Sequence, residues 1–290
     1  MWRWDVSEKP KTLVIGASGL IGLPVVKALA DAGLPVRAGY RSRPVDIAGA
    51  DPVMIDAQTG AGLREAVEGM DQIFLLMGDL HDQTEAELRV LDAARTAGIS
   101  HIVKLSTWGA ESEAFSIARV HRPVERAIEQ SGMSHTFLRP NCFMQNFYTY
   151  YRDMIAYTGT VRLPCDDAIV SFIDAQDIAA VAARVLVDTS LRGRAYDLSG
   201  PEGLTYDQAA ALLVTPHGQP VRYVNITDEE CRAEMIAAGL APVYAEDLIE
   251  LCRYYRTGAA SGVTSSVEDI TGRRAGSFSR FAADHASTWQ

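Results

Sequence analysis

Cysteine is scarce in this sequence and is not clustered. Cys142, Cys165, Cys231 and Cys252 lie far apart, and none belongs to a C-x-x-C pair. This spacing excludes a zinc ribbon and gives no disulfide framework, so we expect four reduced thiols. The histidines are not clustered either, and we predict no metal site.

Basic charge and long apolar runs are also lacking. The formal net charge is −10, and no basic run exceeds two residues, so the dense basic face that nucleic acids require is not expected. No apolar run reaches the ~18 residues of a membrane span, and the first residues, MWRWDVSEKPK, are too polar for a signal peptide. We therefore expect a cytoplasmic protein that binds neither nucleic acid nor membrane.

The first half of the chain alternates short aliphatic runs with segments of helical periodicity. Hydrophobic residues make up 48% of the chain and charged residues 22%, a balance typical of folded proteins. The predicted strands are KTLVIG, LPVRAGY, DPVMID, DQIFLLM, SHIVKLS and SHTFLRP, and the predicted helices cover residues 20–32, 61–70, 85–97 and about 122–130. Such alternation with short turns predicts an α/β fold, a doubly wound parallel sheet of the Rossmann type.

After Pro140 the pattern changes to an aromatic-rich segment, NCFMQNFYTYYRDMIAYTG, followed by a short strand, TVRLP. The strand IVSFID, the helix 175–187 and the strand RAYDLSG return to the first pattern. The remainder is mostly helical. We therefore predict a sheet domain of residues 1–141 and 169–200, and a smaller, mostly helical C-terminal domain of residues 142–168 and 201–290.

The stretch GASGLIG places three glycines three residues apart, directly after the first strand. Gly16 allows a sharp turn, Gly19 lets the backbone approach a pyrophosphate, and Gly22 lets the following helix pack closely. The strand, loop and helix lie within a βαβ unit of about thirty residues, the context that distinguishes a dinucleotide site from an ordinary turn. The predicted cofactor contacts in this loop are Gly16, Ser18, Gly19, Leu20, Ile21 and Gly22.

The end of the second strand, GYRSRP, favours NADP over NAD. An NAD site usually carries an acid here for the ribose 2′-hydroxyl, whereas this chain has Arg41 and Arg43. Two guanidinium groups suit the 2′-phosphate of NADP(H), although two solvated surface arginines would look the same in sequence. Asp56, at the end of the third strand, is predicted to lie beside the adenine.

The chain resembles the NmrA-like branch of the atypical short-chain dehydrogenases/reductases. The resemblance rests on GASGLIG, VRAGYRSRP, VKLSTWGA, HRPVERAIEQSGMSHTFLRPNCFMQNF, SFIDAQDIAAVAARVL and the terminal TGRRAGSFSRFAADHA, and it covers nearly the whole chain. It implies a Rossmann fold that binds NADP(H). The family includes NADPH-dependent quinone and azo-dye reductases and also NADP-binding regulators, so resemblance alone does not choose between enzyme and sensor.

The resemblance also implies where the catalytic groups lie. The wider superfamily uses a serine after the fifth strand, matched by Ser106, and a Tyr-x-x-x-Lys dyad, whose place is taken by Ile117 and His121. Pro123 favours a helix that begins near Arg122, which would put a neutral His121 at its N-terminus. His121 is therefore a candidate proton donor or relay, the alternative being a helix cap or a packed side chain.

Further site residues are predicted where strands of the sheet end. By resemblance, Asn141, Cys142 and Phe143 line the nicotinamide pocket. The tyrosines of the aromatic segment either wall a flat substrate pocket or form the core of the smaller domain, and Tyr148 is the catalytic candidate among them. The remaining predicted cofactor contacts, at the ends of the fourth and fifth strands, are Met77, Ser106 and Thr107.

Two functions follow from these residues. The first is an NADPH-dependent reductase of a conjugated small molecule, such as a quinone, enone, imine or azo compound, which needs a weaker proton donor than a ketone. The alternative is an NADP(H)-binding redox sensor that acts through a protein partner. The sequence leaves the oligomeric state open.

Overall fold

The computed structural model describes residues 9–78 and 82–286. Its strands are β1 (Thr12–Ile15), β2 (Val36–Tyr40), β3 (Ala50–Met54), β4 (Gln72–Leu75), β5 (His101–Leu105), β6 (Ser134–Pro140), β7 (Thr160–Leu163), β8 (Ile169–Val170), β9 (Arg194–Leu198), β10 (Leu204–Thr205) and β11 (Arg222–Asn225). Its helices are α1 (Gly22–Asp31), α2 (Leu63–Val67), α3 (Gln83–Ala97), α4 (Ser116–Gln130), α5 (Asn146–Thr149), α6 (Arg152–Thr158), α7 (Ala175–Val187), α8 (Tyr206–Ala211), α9 (Asp228–Ala237), α10 (Pro242–Arg256), α11 (Ser266–Thr271) and α12 (Phe278–Asp284).

Seven strands form one parallel sheet in the order β3-β2-β1-β4-β5-β6-β9. The central strands are buried aliphatic runs because helices cover both of their faces. One face packs against α1, α7 and α11, and the other against α2, α3 and α4. The predicted doubly wound Rossmann sheet is therefore confirmed.

Two predictions about individual elements are wrong. The segment IVSFID adds no strand to the seven-stranded sheet: its first two residues form β8, which pairs antiparallel with β10, and Ile173 makes a single parallel bridge to Phe143. Helix α4 begins at Ser116 rather than near Arg122, so Pro123 lies inside it. The missing N–H of Pro123 is tolerated because the helix buries Ala118, Val124 and Ile128, and tertiary packing outweighs local propensity.

A second apolar cluster lies in the part of the chain that follows β6. Phe147 is fully buried at its centre, in contact with the rings of Tyr151, Phe172 and Phe278. Ile270 of α11 instead packs in the sheet cluster, although the predicted division gives it to the smaller domain. The exact division into two domains stays a prediction.

The C-terminal segment 258–264 lies across the carboxyl ends of three strands. Trp108, just after β5, donates from Nε1 to the carbonyl of Ala259 at 2.9 Å. Asn141, after β6, donates to the carbonyl of Ala260 at 2.8 Å. Ser199, after β9, accepts from the N–H of Thr264 at 2.9 Å. The segment thus covers the edge at which open α/β sheets bind ligands.

His101, at the amino end of β5, makes the stability of the fold depend on pH. Burial, with the charge of Arg192 nearby, lowers the pKa of His101 to about 3. The unfolded chain then binds a proton that the folded chain does not, so stability falls as pH drops from about 6.5 towards about 3. We expect His101→Gln to reduce that fall by about 1.4 kcal/mol per pH unit in urea unfolding. The exposed His217→Gln variant is the control, and an equal slope in both variants would contradict the assignment.

Candidate cofactor and active site

The glycine loop between β1 and α1 is shaped by two positions that exclude a side chain. Gly16 has φ +75°, and a Cβ on it would lie 2.6 Å from the carbonyl oxygen of Leu76. A Cβ on Gly22 would lie 2.1 Å from the carbonyl oxygen of Gly16. Gly22 therefore packs against the loop itself, and α1 begins there, two residues later than predicted.

Several backbone N–H groups of the same loop have no backbone acceptor among the described residues. The N–H groups of Ser18, Leu20 and Ile21 make no backbone hydrogen bond to any described residue, and no side chain caps α1. Gly19 and Leu20 are exposed. Unpaired N–H groups at the start of a helix form a ready anion site, because the positive end of the helix dipole adds to them.

Arg41 and Arg43 are exposed just beyond the end of β2, at the carboxyl edge of the sheet. Asp56, which follows β3, lies at the same edge and accepts from the N–H of Gln58 at 2.9 Å. The hydroxyl of Thr59, the N–H groups of this turn and the charge of Arg41 hold the pKa of Asp56 below its usual value. Arg41 and Asp56 thus share one electrostatic environment beside the glycine loop.

Met77 and Thr107 are partly buried beyond the ends of β4 and β5. Ser106 is buried, and its N–H donates to Leu138 at 2.7 Å. Its hydroxyl lies beside the Glu125 carboxylate and helps to lower the pKa of that group. The oxygen is itself buried and has no partner at hydrogen-bond geometry among the described residues, so a contact of this hydroxyl with a ligand stays a prediction.

A network of buried charged and polar side chains lies between β5 and the helices α3 and α4. Lys104 on β5 and Glu87 on α3 are both fully buried, with Nζ 2.5 Å from Oε2. Lys104 Nζ also lies 3.1 Å from Nδ1 of His121. Gln83 donates to the other oxygen of Glu87 at 3.1 Å. Neither Lys104 nor Glu87 is among the predicted site residues, although a lysine inside the apolar strand HIVKL signals a buried partner.

His121 is in the interior of α4, not at its N-terminus, so the predicted effect of the helix dipole is wrong. The residue is 8% exposed. Burial, and then the charge of Lys104, hold its pKa well below the usual value. The ring is neutral, as predicted, but for a different physical reason.

A second buried ion pair fixes α4 to the sheet one turn beyond His121. Arg139 on β6 donates to both oxygens of Glu125, from Nε at 2.9 Å and from Nη2 at 2.8 Å. Such a bidentate pair holds both side chains in one geometry. This pair fixes the rotation of α4 about its own axis, and with it the direction in which His121 points.

The side chain of Asn141 joins the end of β6 to Ser171 and to the segment 258–264 by hydrogen bonds. Its amide donates to Ser171 Oγ and to the carbonyl of Ala260, both at 2.8 Å, and its oxygen accepts from the N–H of Cys142 at 2.8 Å. Phe143 packs against the sheet cluster and bridges to Ile173. A direct contact of Asn141 or Phe143 with the nicotinamide stays a prediction.

The Cys142 thiol packs against the hydroxyl of Tyr206, 3.6 Å away. Burial raises the pKa of the thiol, which keeps it protonated and unreactive at neutral pH. Cys142 therefore packs as a partly buried apolar residue against the aromatic cluster, and a contact with the nicotinamide stays a prediction.

Tyr148 lies in the short helix α5 and packs against the second apolar cluster. Its ring stacks on Phe281 and on His285, with centroids 5.9 and 5.3 Å apart. Burial, and then the charge of Asp174, raise the pKa of its hydroxyl. Of its neighbours, Tyr151 belongs to the apolar cluster while Tyr150 is 77% exposed, so the aromatic segment serves both packing and surface.

Across residues 9–78 and 82–286, no group of three or more acidic, histidine or cysteine side chains is arranged to hold a metal ion. No helix in these ranges is long and apolar enough to cross a membrane.

The sequence and the fold of this chain are similar to those of several known reductases. The chain is 34% identical over 282 residues to an NAD(P)H azoreductase of Xenophilus azovorans, covering 96% of this chain and 98% of that protein. It is 36% identical over 283 residues to the (4-alkanoyl-5-oxo-2,5-dihydrofuran-3-yl)methyl phosphate reductase of Streptomyces griseus subsp. griseus, covering 96% and 98%. The NADPH-dependent quinone oxidoreductase of Escherichia coli, solved with NADPH, is similar in fold with a TM-score of 0.83, 22% identity, and coverage of 94% and 99%.

The model of the NmrA-like family matches residues 8–281, nearly the whole chain. The predicted resemblance is confirmed by this match and by the two relatives described above, at 34% and 36% identity. The protein belongs to the NmrA-like family.

Proposed function

We propose that the protein is an NADPH-dependent oxidoreductase that reduces a conjugated, electron-poor small molecule. The observation that carries the proposal is the loop of residues 16–22, whose N–H groups at the start of α1 have no backbone partner among the described residues, with two exposed arginines after β2 at the same carboxyl edge of the sheet. A dianionic pyrophosphate and a 2′-phosphate are the groups that such donors suit. Family membership and full-length relatives named as reductases support the same function.

The residues present fit NADP(H). A Cβ would collide at Gly16 and at Gly22, and the exposed Gly19 leaves the backbone open to approach. The pyrophosphate would meet the loop, the 2′-phosphate would meet Arg41 and Arg43, and Asp56 would lie on the adenine side. The nicotinamide side would be formed by Met77, Ser106, Thr107, Asn141, Cys142 and Phe143.

The chemistry that bound NADPH supplies is hydride transfer. The chain's own residues position and enclose the reactants. The segment 258–264 crosses the carboxyl edge of β5, β6 and β9, where it would help to enclose bound reactants. His121, Ser106 and Tyr148 are the groups from which a proton would reach the acceptor. None of them is strongly acidic, which suits an acceptor that delocalises the charge of the hydride.

The names of the two relatives point to the acceptor class. An azo group is an N=N bond conjugated with its substituents, and a 4-alkanoyl-5-oxo-2,5-dihydrofuran is a ring C=C bond conjugated with two carbonyl groups. Both are electron-poor double bonds that accept hydride without an activated ketone oxygen. We infer that this protein acts on a substrate of the same kind.

The test is NADPH oxidation by the purified protein with a panel of acceptors. The panel contains a naphthoquinone, an azo dye, an acylated butenolide and, as the unconjugated control, an aliphatic ketone. We expect turnover with at least one conjugated acceptor and none with the aliphatic ketone, because only the conjugated compounds spread the charge of the hydride.

The same experiment separates the enzyme from a redox sensor. NADPH binding is followed independently by the change in its fluorescence on titration. Tight NADPH binding together with no oxidation by any conjugated acceptor would contradict the reductase and favour an NADP(H) sensor.

A further inference from the structure

We propose that Lys104 is a positioning residue that holds His121 in the tautomer with its proton on Nε2, so that the ring offers a hydrogen-bond donor to the substrate side. The inference rests on the proposed reductase function for its use, but its structural content concerns residues of this chain alone. Lys104 is not expected to touch the substrate, because it is fully buried behind β5.

The three protons of the Lys104 ammonium group match three acceptors. Nζ lies 2.5 Å from Oε2 of Glu87, 3.2 Å from the carbonyl oxygen of Leu105 and 3.1 Å from Nδ1 of His121. A carboxylate and a carbonyl oxygen can only accept, and an ammonium group can only donate. Nδ1 of His121 must then accept, and the single proton of the neutral ring lies on Nε2.

The ion pair with Glu87 keeps Lys104 in the form that donates. Both side chains are fully buried, and a buried ammonium group without a carboxylate partner would give up its proton. Gln83 donates to the second oxygen of Glu87 at 3.1 Å, which fixes the carboxylate in place. Glu87 thus accepts from both Gln83 and Lys104, and the ammonium group of Lys104 has a further proton to donate to the imidazole of His121.

The position of α4 gives the ring a defined direction. Helix α4 connects the neighbouring parallel strands β5 and β6, so it runs antiparallel to them and its early residues lie at their carboxyl ends. His121 is one turn closer to that edge than Glu125, which lies beside Ser106 and is held by Arg139. Nδ1 faces the buried Lys104, so Nε2, on the other side of the ring, faces away from the interior of the sheet.

A donor at Nε2 suits the proposed reaction. Reduction by hydride places negative charge on an oxygen, nitrogen or carbon of the acceptor, and a fixed N–H aimed at that charge stabilises the transition state. A ring with the opposite tautomer would present a lone pair there and repel the charge. Lys104 thus selects the tautomer that helps the reaction.

The test is ¹⁵N NMR of the imidazole nitrogens in the full-length protein, with His121→Gln used to assign the signals. In the wild type we expect Nδ1 of His121 to be an unprotonated acceptor and Nε2 to carry the proton. The variant Lys104→Met alone would leave the buried Glu87 carboxylate without its cationic partner and would destabilise the fold. The informative variant is therefore Lys104→Met with Glu87→Gln.

In that double variant we expect the Nδ1 signal to move towards that of a free lone pair, and rings with the proton on Nδ1 to become detectable. We expect kcat to fall about two- to tenfold with the KM for NADPH unchanged, because only rings protonated on Nε2 are competent. The control is Lys27→Met with Asp31→Asn, which removes an exposed ion pair on α1 and should leave the His121 signals unchanged.

Two results would overturn the inference: a proton on Nδ1 of His121 in the wild type, or an unchanged Nδ1 signal in the double variant. The NMR measurement needs no acceptor. If it gives the expected tautomer while no conjugated acceptor is reduced, the proposed function fails and the positioning by Lys104 stands.

Discussion

Arg41→Ala weakens the binding of NADPH about 10- to 100-fold and changes the binding of NADH by less than about threefold. A hydrogen bond to a charged group contributes about 1.5–3 kcal/mol, which corresponds to this range. The two cofactors differ only in the 2′-phosphate, so a residue that contacts this group distinguishes them. The exposed position of Arg41 beyond β2, beside Asp56, leaves its guanidinium open to such a contact.

The measurement is the Kd of each cofactor by calorimetric titration. Arg95→Ala is the matched control, since this exposed arginine lies at the far end of α3 and at the opposite edge of the sheet. Equal losses of NADPH and NADH affinity in Arg41→Ala would show that the arginine does not hold the 2′-phosphate. A loss of NADPH affinity in Arg95→Ala would instead point to a general effect of charge.

Gly22→Ala lowers the free energy of unfolding by about 3 kcal/mol and NADPH affinity with it. Alanine is the better helix former by up to about 1 kcal/mol, but its Cβ would lie 2.1 Å from the carbonyl oxygen and 2.7 Å from the carbonyl carbon of Gly16. These are backbone atoms, so the loop must shift, and overpacking of this kind costs more than the helix gains. Urea unfolding and NADPH titration measure the two effects.

Gly19→Ala in the same loop is the companion variant. Its Cβ would lie 3.2 Å from the carbonyl oxygen of Gly16, and its φ is not positive, so the fold adjusts by a few tenths of an ångström. We expect less than about 1 kcal/mol of lost stability but a clear loss of NADPH affinity, because the proposed function brings the pyrophosphate to the exposed face of Gly19. Unchanged NADPH affinity in Gly19→Ala would place the pyrophosphate elsewhere.

The sheet was predictable because local signals agree with the global fold. The central strands β1, β4 and β5 are short apolar runs, and turn residues separate each of them from a segment of helical periodicity. The apolar spacing extends through Leu20 and so predicts a start of α1 there, whereas the close contact of Gly22 with Gly16 sets the start two residues later.

The candidate site was only half predictable. The glycines lie in one short motif, GASGLIG, and the arginines in another, GYRSRP, and each motif by itself indicates a part of a dinucleotide site. The Lys104–Glu87 pair joins residues of two separate elements, and only the packing of α3 against β5 brings them together. Pro123 favours a helix start just before it, which makes the sequence prediction for α4 too late. The actual start at Ser116 depends on the burial of the apolar face of α4, which is a tertiary contact. No periodicity in the sequence reports such contacts.

The pairing of β7 with β11 has a consequence for the growing chain on the ribosome. The glycine loop and the whole seven-stranded sheet have been synthesised once β9 ends at Leu198. At that moment β7 still lacks its partner, and the rings around Phe147 lack Tyr206, Phe278 and Phe281. The aromatic side chains of this segment therefore lack part of their packing while nearly a third of the protein is still to be synthesised. A nascent chain stalled at this stage would expose apolar aromatic surface, through which incompletely folded proteins aggregate.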